Sequence, residues 1–198
     1  SLIEREAKVA ADRPKIAQVI YNRLAAKMPL EIDAAVKYGQ DPAMSWTDMK
    51  ATDTPYNTYI NKGLPPTPIA NPGRASIQAA LAPAGAPPKA DEACVGLAAG
   101  VKCQYLFYVL ANAEGGHAFA TTYEQHLANV AKAKAEMVQS LSSSGYAILN
   151  ADDERVRNMR NVTQAQVLTY GVHESADIRI IKCELDEMAR ASVTAATP

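Results

Sequence analysis

The sequence predicts an α+β protein, with a mixed domain from residue 1 to about 141 and a small α/β segment over 142–198. Three observations carry that reading. Apolar residues recur at helical spacing after Asp12-Arg13-Pro14. Two strand-like runs flank a Gly-Gly turn between residues 104 and 120. Past Gly145 the order becomes strand, helix, strand, as at the edge of an α/β sheet. With 48% hydrophobic and 21% charged residues, the 198-residue chain has the composition of a core-forming globular protein.

The elements follow in order. Ile16, Val19, Ile20 and Leu24 form one stripe, with Asp12 as N-cap and Pro14 in the first turn, so a helix is expected over roughly 13–27, stopped by Met28-Pro29. Leu30, Ile32 and Val36 then suggest an extended stretch, on one face of which the carboxylates of Glu31 and Asp33 would sit together. From Gln40 to Gly73 the abundance of Pro, Asn, Thr and Gly forbids a long helix or a central strand, and an apolar loop of this length suits a binding surface. Asn71-Pro72 restarts a helix whose buried side is expected to be Ile77, Ala80 and Leu81, with Pro83 as its stop.

Residues 82–102 read as an Ala/Pro/Gly-rich insertion. Gln104–Leu110 and Gly115–Ala120 form the predicted hairpin, and Thr121-Thr122-Tyr123-Glu124 has capping-box spacing for a helix reaching about 141. Tyr146–Leu149, Gln166–Tyr170 and Asp177–Leu185 are expected strands, Asp153–Arg160 a helix, and Ala191–Thr194 the start of a further strand.

Charge argues against some partners. Residues 1–134 hold 14 basic and 12 acidic side chains and the remainder 6 and 9, a balance that favours neither nucleic acid nor an anionic membrane. No run of about 18 apolar residues and no signal-peptide pattern occurs. Because Ser1-Leu2-Ile3-Glu4 already reads as the inside of an element, the chain is expected to be a fragment, with any anchor or export signal upstream. Cys94 and Cys103 flank a Gly/Ala-rich loop that an oxidising compartment would close by a disulfide; otherwise all three cysteines are reduced, and their spacing matches no zinc pattern.

Four segments occur in a telling order: Ser1-Leu2-Ile3-Glu4-Arg5-Glu6; Tyr21-Asn22-Arg23-Leu24 with Met28-Pro29-Leu30-Glu31-Ile32-Asp33; Pro55-Tyr56-Asn57-Thr58-Tyr59 with Gly63-Leu64-Pro65-Pro66-Thr67-Pro68-Ile69-Ala70-Asn71-Pro72-Gly73; and Gly115-Gly116-His117-Ala118-Phe119 with Glu124-Gln125-His126. The series resembles the MltG/YceG-like endolytic murein transglycosylases over residues 1 to about 134. Glu31, Ile32 and Ala34 depart from the family's usual pattern around the acid kept at Asp33.

The resemblance implies a cofactor-free and metal-free enzyme of the cell envelope. Its substrate would be peptidoglycan glycan strands and its neighbours the cell-wall synthesis machinery; a membrane would be reached only through an anchor outside this chain. It places the acid/base on Glu4, which would protonate the glycosidic oxygen and then take the proton of the C6 hydroxyl to leave a 1,6-anhydro end, whereas Glu6 reads as a solvated or salt-bridged neighbour. Such an acid needs surroundings that disfavour its charged form. Asp33 either orients sugar or Glu4, or shapes a turn. Glu31, Tyr56 and Asn57 are candidate sugar contacts, with loop packing as the alternative for the tyrosine and the amide and the better reading for Tyr59. His117 either hydrogen-bonds substrate or anchors the hairpin, and His126 reads as an ordinary helix residue.

A second resemblance covers about 135–198. Leu149-Asn150-Ala151-Asp152-Asp153-Glu154-Arg155 and Val167-Leu168-Thr169-Tyr170-Gly171 look like part of the central domain of MurF-type Mur ligases. In that family the asparagine helps hold the adenine of ATP, so Asn150 would bind a cofactor only if the ligase reading held. The phosphate loop GxxxxGK(S/T) does not occur in this chain, which makes ligation unworkable and Asn150 a strand-end cap. The rival to catalysis is an inactive peptidoglycan-binding fragment.

Overall fold

The computed structural model describes residues 1–185 and 191–197. Two compact units divide inside a helix, Ser1–Asn129 and Val130–Pro198. Helices and two separate sheets together make the α+β class expected from the sequence.

In the first unit, α1 (Leu2–Glu6) lies against α2 (Arg13–Ala25). The predicted stripe forms the core: Ile16, Val19 and Ile20 are buried with Leu2, Ile3, Leu30, Ile32 and Tyr105. Each such aliphatic side chain contributes about 1.5–3 kcal/mol by leaving water. α2 ends in a Schellman arrangement, in which the Met28 and Lys27 amides donate to the carbonyls of Arg23 and Leu24 while Lys27 takes φ 56°. Asp12 precedes the helix without capping it, because its carboxylate turns to His117 instead.

The stretch expected to be extended is instead α3 (Asp33–Lys37), which buries Ala35 and Val36. A left-handed Glu31, φ 54°, turns the chain ahead of it. Within the Pro-rich region a short helix went unpredicted, α4 (Trp46–Ala51), started by Ser45, whose hydroxyl accepts from the Asp48 amide. α5 (Arg74–Leu81) follows, but it buries Ser76 and Ala79, whereas Ile77 and Leu81 are exposed.

Cys94 and Cys103 are joined by a disulfide, and Cys183 is free. β1 (Phe107–Leu110) pairs antiparallel with β2 (His117–Ala120) across the Gly-Gly turn, with Tyr108 opposite Phe119. α6 (Tyr123–Gln139) is capped one residue later than expected: Thr122 accepts from the Gln125 amide, while the Gln125 side chain accepts from the Thr121 and Thr122 amides.

The second unit holds a four-stranded sheet in sequence order, β3 (Tyr146–Asn150), β4 (Gln166–Gly171), β5 (Ile178–Leu185) and β6 (Ala191–Ala196), the first three parallel and the last antiparallel. α7 (Glu154–Arg157) connects β3 to β4, and Ala147, Leu149, Met159 and Ala165 form its small core. No helix among the described residues is long and apolar enough to cross a membrane.

Candidate active site

A cleft of about 540 Å³ opens where the end of α1 meets the start of α3, walled by Arg5, Glu6, Asp33, Lys37, Tyr38 and Ile69 among others. Its position follows from helical periodicity. Glu6 stands three and four residues after the buried Ile3 and Leu2, so the face that packs into the core carries this carboxylate inward. Burial pushes its carboxyl above the usual range; a hydrogen bond donated by the Tyr108 hydroxyl to Oε2 at 2.9 Å opposes that shift, and the charge of Asp33 adds to it.

The groups behind Glu6 form a relay of contacts. Tyr108 projects from β1, and burial, then the negative charge of Glu6, raises its phenol well above the usual value. The His117 ring meets Tyr108 edge-on, with centroids 5.5 Å apart. His117 Nδ1 lies 3.0 Å from Asp12 Oδ2, and the same oxygen accepts from the His117 backbone amide at 2.9 Å. His117 thus anchors the hairpin, with its side chain buried in an ion-pair geometry. Asp33, in the first turn of α3, accepts a 2.7 Å hydrogen bond from the Tyr59 hydroxyl. Burial, that bond and the charges of Asp33, Glu31 and Glu6 raise the Tyr59 phenol.

Glu4 has the opposite environment to the one expected of it. Half-buried on another side of α1, it accepts from Ser76 Oγ at 2.6 Å and from the Gly73 amide at 3.0 Å, and these bonds hold its carboxyl below the usual range. That arrangement stabilises a carboxylate rather than a stored proton. Asn57 is fully buried; its side chain donates to the carbonyls of Met49, Lys50 and Thr52 and accepts from the Tyr59 amide. Tyr56 spends its hydroxyl on Thr67, 2.7 Å away, and packs on the Tyr38 ring. Glu31 pairs with the buried Arg23 at 2.8 Å rather than entering the cleft.

The residues brought together are therefore Glu6, Asp33, Tyr59 and Tyr108, with His117 behind; Glu4, Glu31, Tyr56 and Asn57 lie outside that group, each hydrogen-bonded to neighbouring residues. Glu6, expected from sequence to be a solvated or salt-bridged neighbour, is instead half-buried and hydrogen-bonded to Tyr108, an outcome its spacing from Leu2 and Ile3 could have signalled. In the second unit Asn150 ends β3, and its Oδ1 accepts from the Asp152 amide at 2.8 Å as a strand-end cap. Among the described residues no group of three His, Cys, Asp or Glu side chains is placed to hold a metal ion.

The YceG-like family model matches residues 1–132, and the Mur ligase middle domain model matches residues 109–195. The chain is 42% identical over 137 residues to an endolytic murein transglycosylase of Bacillus subtilis, covering 68% of this chain and 32% of that protein. A Streptococcus pneumoniae protein of the same name is 32% identical over 139 residues, covering 67% and 22%. A UDP-N-acetylmuramoyl-tripeptide–D-alanyl-D-alanine ligase of Mycobacterium tuberculosis is 37% identical over 65 residues, 33% of this chain and 13% of that one. Among solved structures, a yceG-like protein from Listeria monocytogenes aligns at 38% identity with a TM-score of 0.51, over 65% of this chain and 37% of that one. The chain thus spans about a third or less of the curated relatives it matches. Both resemblances read from the sequence fall on these segments.

Proposed function

The chain belongs to the YceG-like family through residues 1–132, and from that premise we propose that its first unit cleaves the glycan backbone of murein by lytic transglycosylation, with Glu6 as the acid/base. The observation that carries this reading is the environment of the Glu6 carboxyl: raised by burial, on the wall of an open cleft, with a second carboxylate, Asp33, across from it. A general acid for a glycosidic oxygen must keep its proton near neutral pH, and desolvation beside a like charge is the means proteins have for that.

In the proposed reaction Glu6 transfers its proton to the glycosidic oxygen as the C1–O bond breaks. The negative charge of Asp33 opposes the positive character that develops at the sugar ring. The C6 hydroxyl of the same muramic residue then bonds to C1, and the Glu6 carboxylate takes the hydroxyl proton, so the enzyme returns to its starting state and a 1,6-anhydro end is formed. An intramolecular nucleophile makes a second carboxylate at hydrolytic separation unnecessary. The substrate places the reaction in the cell envelope. Mass spectrometry of digested sacculi provides the test: anhydro-muramic ends are expected from the wild type and are expected to disappear with Glu6→Gln. Anhydro ends that persist in Glu6→Gln and vanish in Glu4→Gln would return the role to Glu4.

A further inference from the structure

Residues 57–59 are bonded to residues 31–33, the turn that opens α3. The Glu31 amide donates to the Thr58 carbonyl at 3.1 Å and the Ile32 amide to Thr58 Oγ1 at 2.9 Å, and the Thr58 hydroxyl donates in turn to the Ile32 carbonyl at 3.3 Å. Thr58 and Ile32 are 2% and 1% exposed, so water does not compete for the bonds between them. The last contact of the series is made by the Tyr59 hydroxyl, which donates to Asp33 Oδ1 at 2.7 Å.

Tyr59 is itself held from several directions. Its amide donates to Oδ1 of the fully buried Asn57 at 3.1 Å. The Trp46 ring meets its ring edge-on with centroids 6.2 Å apart, and the Lys50 ammonium stands 4.1 Å from its ring centroid, an attraction that fixes the ring further. Burial and the bond to Asp33 raise the phenol above its usual range, so the hydroxyl keeps its proton and stays a donor at neutral pH. Asp33, by contrast, is exposed in the first turn of α3. An exposed carboxylate samples several rotamers, whereas a charge that opposes a developing cation acts best from a fixed place. With Oδ1 bound to the phenol, Oδ2 is the oxygen of Asp33 without a hydrogen-bond partner among the described residues.

We infer that Tyr59 is a positioning residue for Asp33: its hydroxyl holds Oδ1, which keeps Oδ2 available to the sugar whose bond breaks at Glu6. This rests on the reading of the cleft as the site of glycan cleavage, and it adds a residue that touches neither the sugar nor the breaking bond. Tyr59→Phe in the full chain removes the hydroxyl and keeps the ring. On soluble, uncrosslinked glycan strands its kcat is expected to fall about tenfold with KM unchanged. The same change made in Asp33→Asn is expected to cost nothing further, because a residue that acts only through Asp33 has no carboxylate left to hold; a loss of packing would add to the loss from Asp33→Asn. A readout without substrate separates the contact from the reaction. In carbon-detected NMR the Asp33 carboxylate resonance is expected to move in Tyr59→Phe and to stay in Tyr56→Phe, whose lost hydroxyl bonds to Thr67. An unmoved Asp33 resonance, an unchanged kcat, or losses that add in the double variant would overturn the positioning role. If Glu6→Gln cleaves as the wild type does, the reaction assigned to the cleft falls, while a moved Asp33 resonance still supports Tyr59 as the group that holds it.

Discussion

Glu4 and Glu6 are two residues apart on one helix, yet their surroundings push their carboxyls in opposite directions. Hydrogen bonds from Ser76 and Gly73 favour the Glu4 carboxylate, whereas desolvation disfavours that of Glu6. Replacing Glu6 by Gln is expected to lower kcat/KM on sacculi by at least about 100-fold, the usual scale of general-acid catalysis. The same change is expected to raise the melting temperature at pH 7: a carboxyl with a raised folded-state pKa stabilises the fold when protonated and loses that contribution as pH climbs from 4.5 through the raised value. Tyr108→Phe removes a bond that favours the charged form, so the alkaline limb of the pH–rate profile should move to higher pH, measured as kcat/KM across the range. An alkaline limb that stays in place would mean that Glu6 does not set it.

Single elements show why the site can be built where it is. Arg23, 6% exposed on α2, donates to the carbonyls of Pro29, Leu30 and Leu106 and to Glu31, which ties the turn before α3 to the strand that carries Tyr108. Arg23→Met is expected to cost about 2–3 kcal/mol in a urea-unfolding measurement, because it leaves the carbonyls of Pro29, Leu30 and Leu106 without their donor. Asn57→Ala should cost about 2–3 kcal/mol in the same measurement, with its catalytic consequence confined to the folded fraction. The sequence made α2 and the β1–β2 hairpin legible, since a stripe at 16, 19, 20 and 24 and a Gly-Gly turn admit one reading each. It misled at 30–37: apolar residues at 30, 32 and 36 suit alternation and a helical turn alike, and the left-handed Glu31 that decides between them has no glycine to announce it. The short α4 was hidden among prolines and polar residues. Asn57 and Tyr56 have the chemistry of sugar contacts, but chemistry alone does not reveal that neighbouring backbone and Thr67 already use it.

Among the described residues the two cores have no buried residue in common: one gathers around Ile16, Val19 and Tyr105, the other around Leu149 and Met159. A calorimetric scan is therefore expected to show two transitions, the larger from the first unit, whereas a single two-state transition would contradict independent cores. All of the proposed chemistry depends on which carboxyl keeps its proton in the folded chain. Carbon-detected NMR titration of the glutamate side chains measures that without substrate: Glu6 should titrate above the ordinary value of 4.5 and Glu4 below it. The reverse order would contradict Glu6 as the acid and restore Glu4.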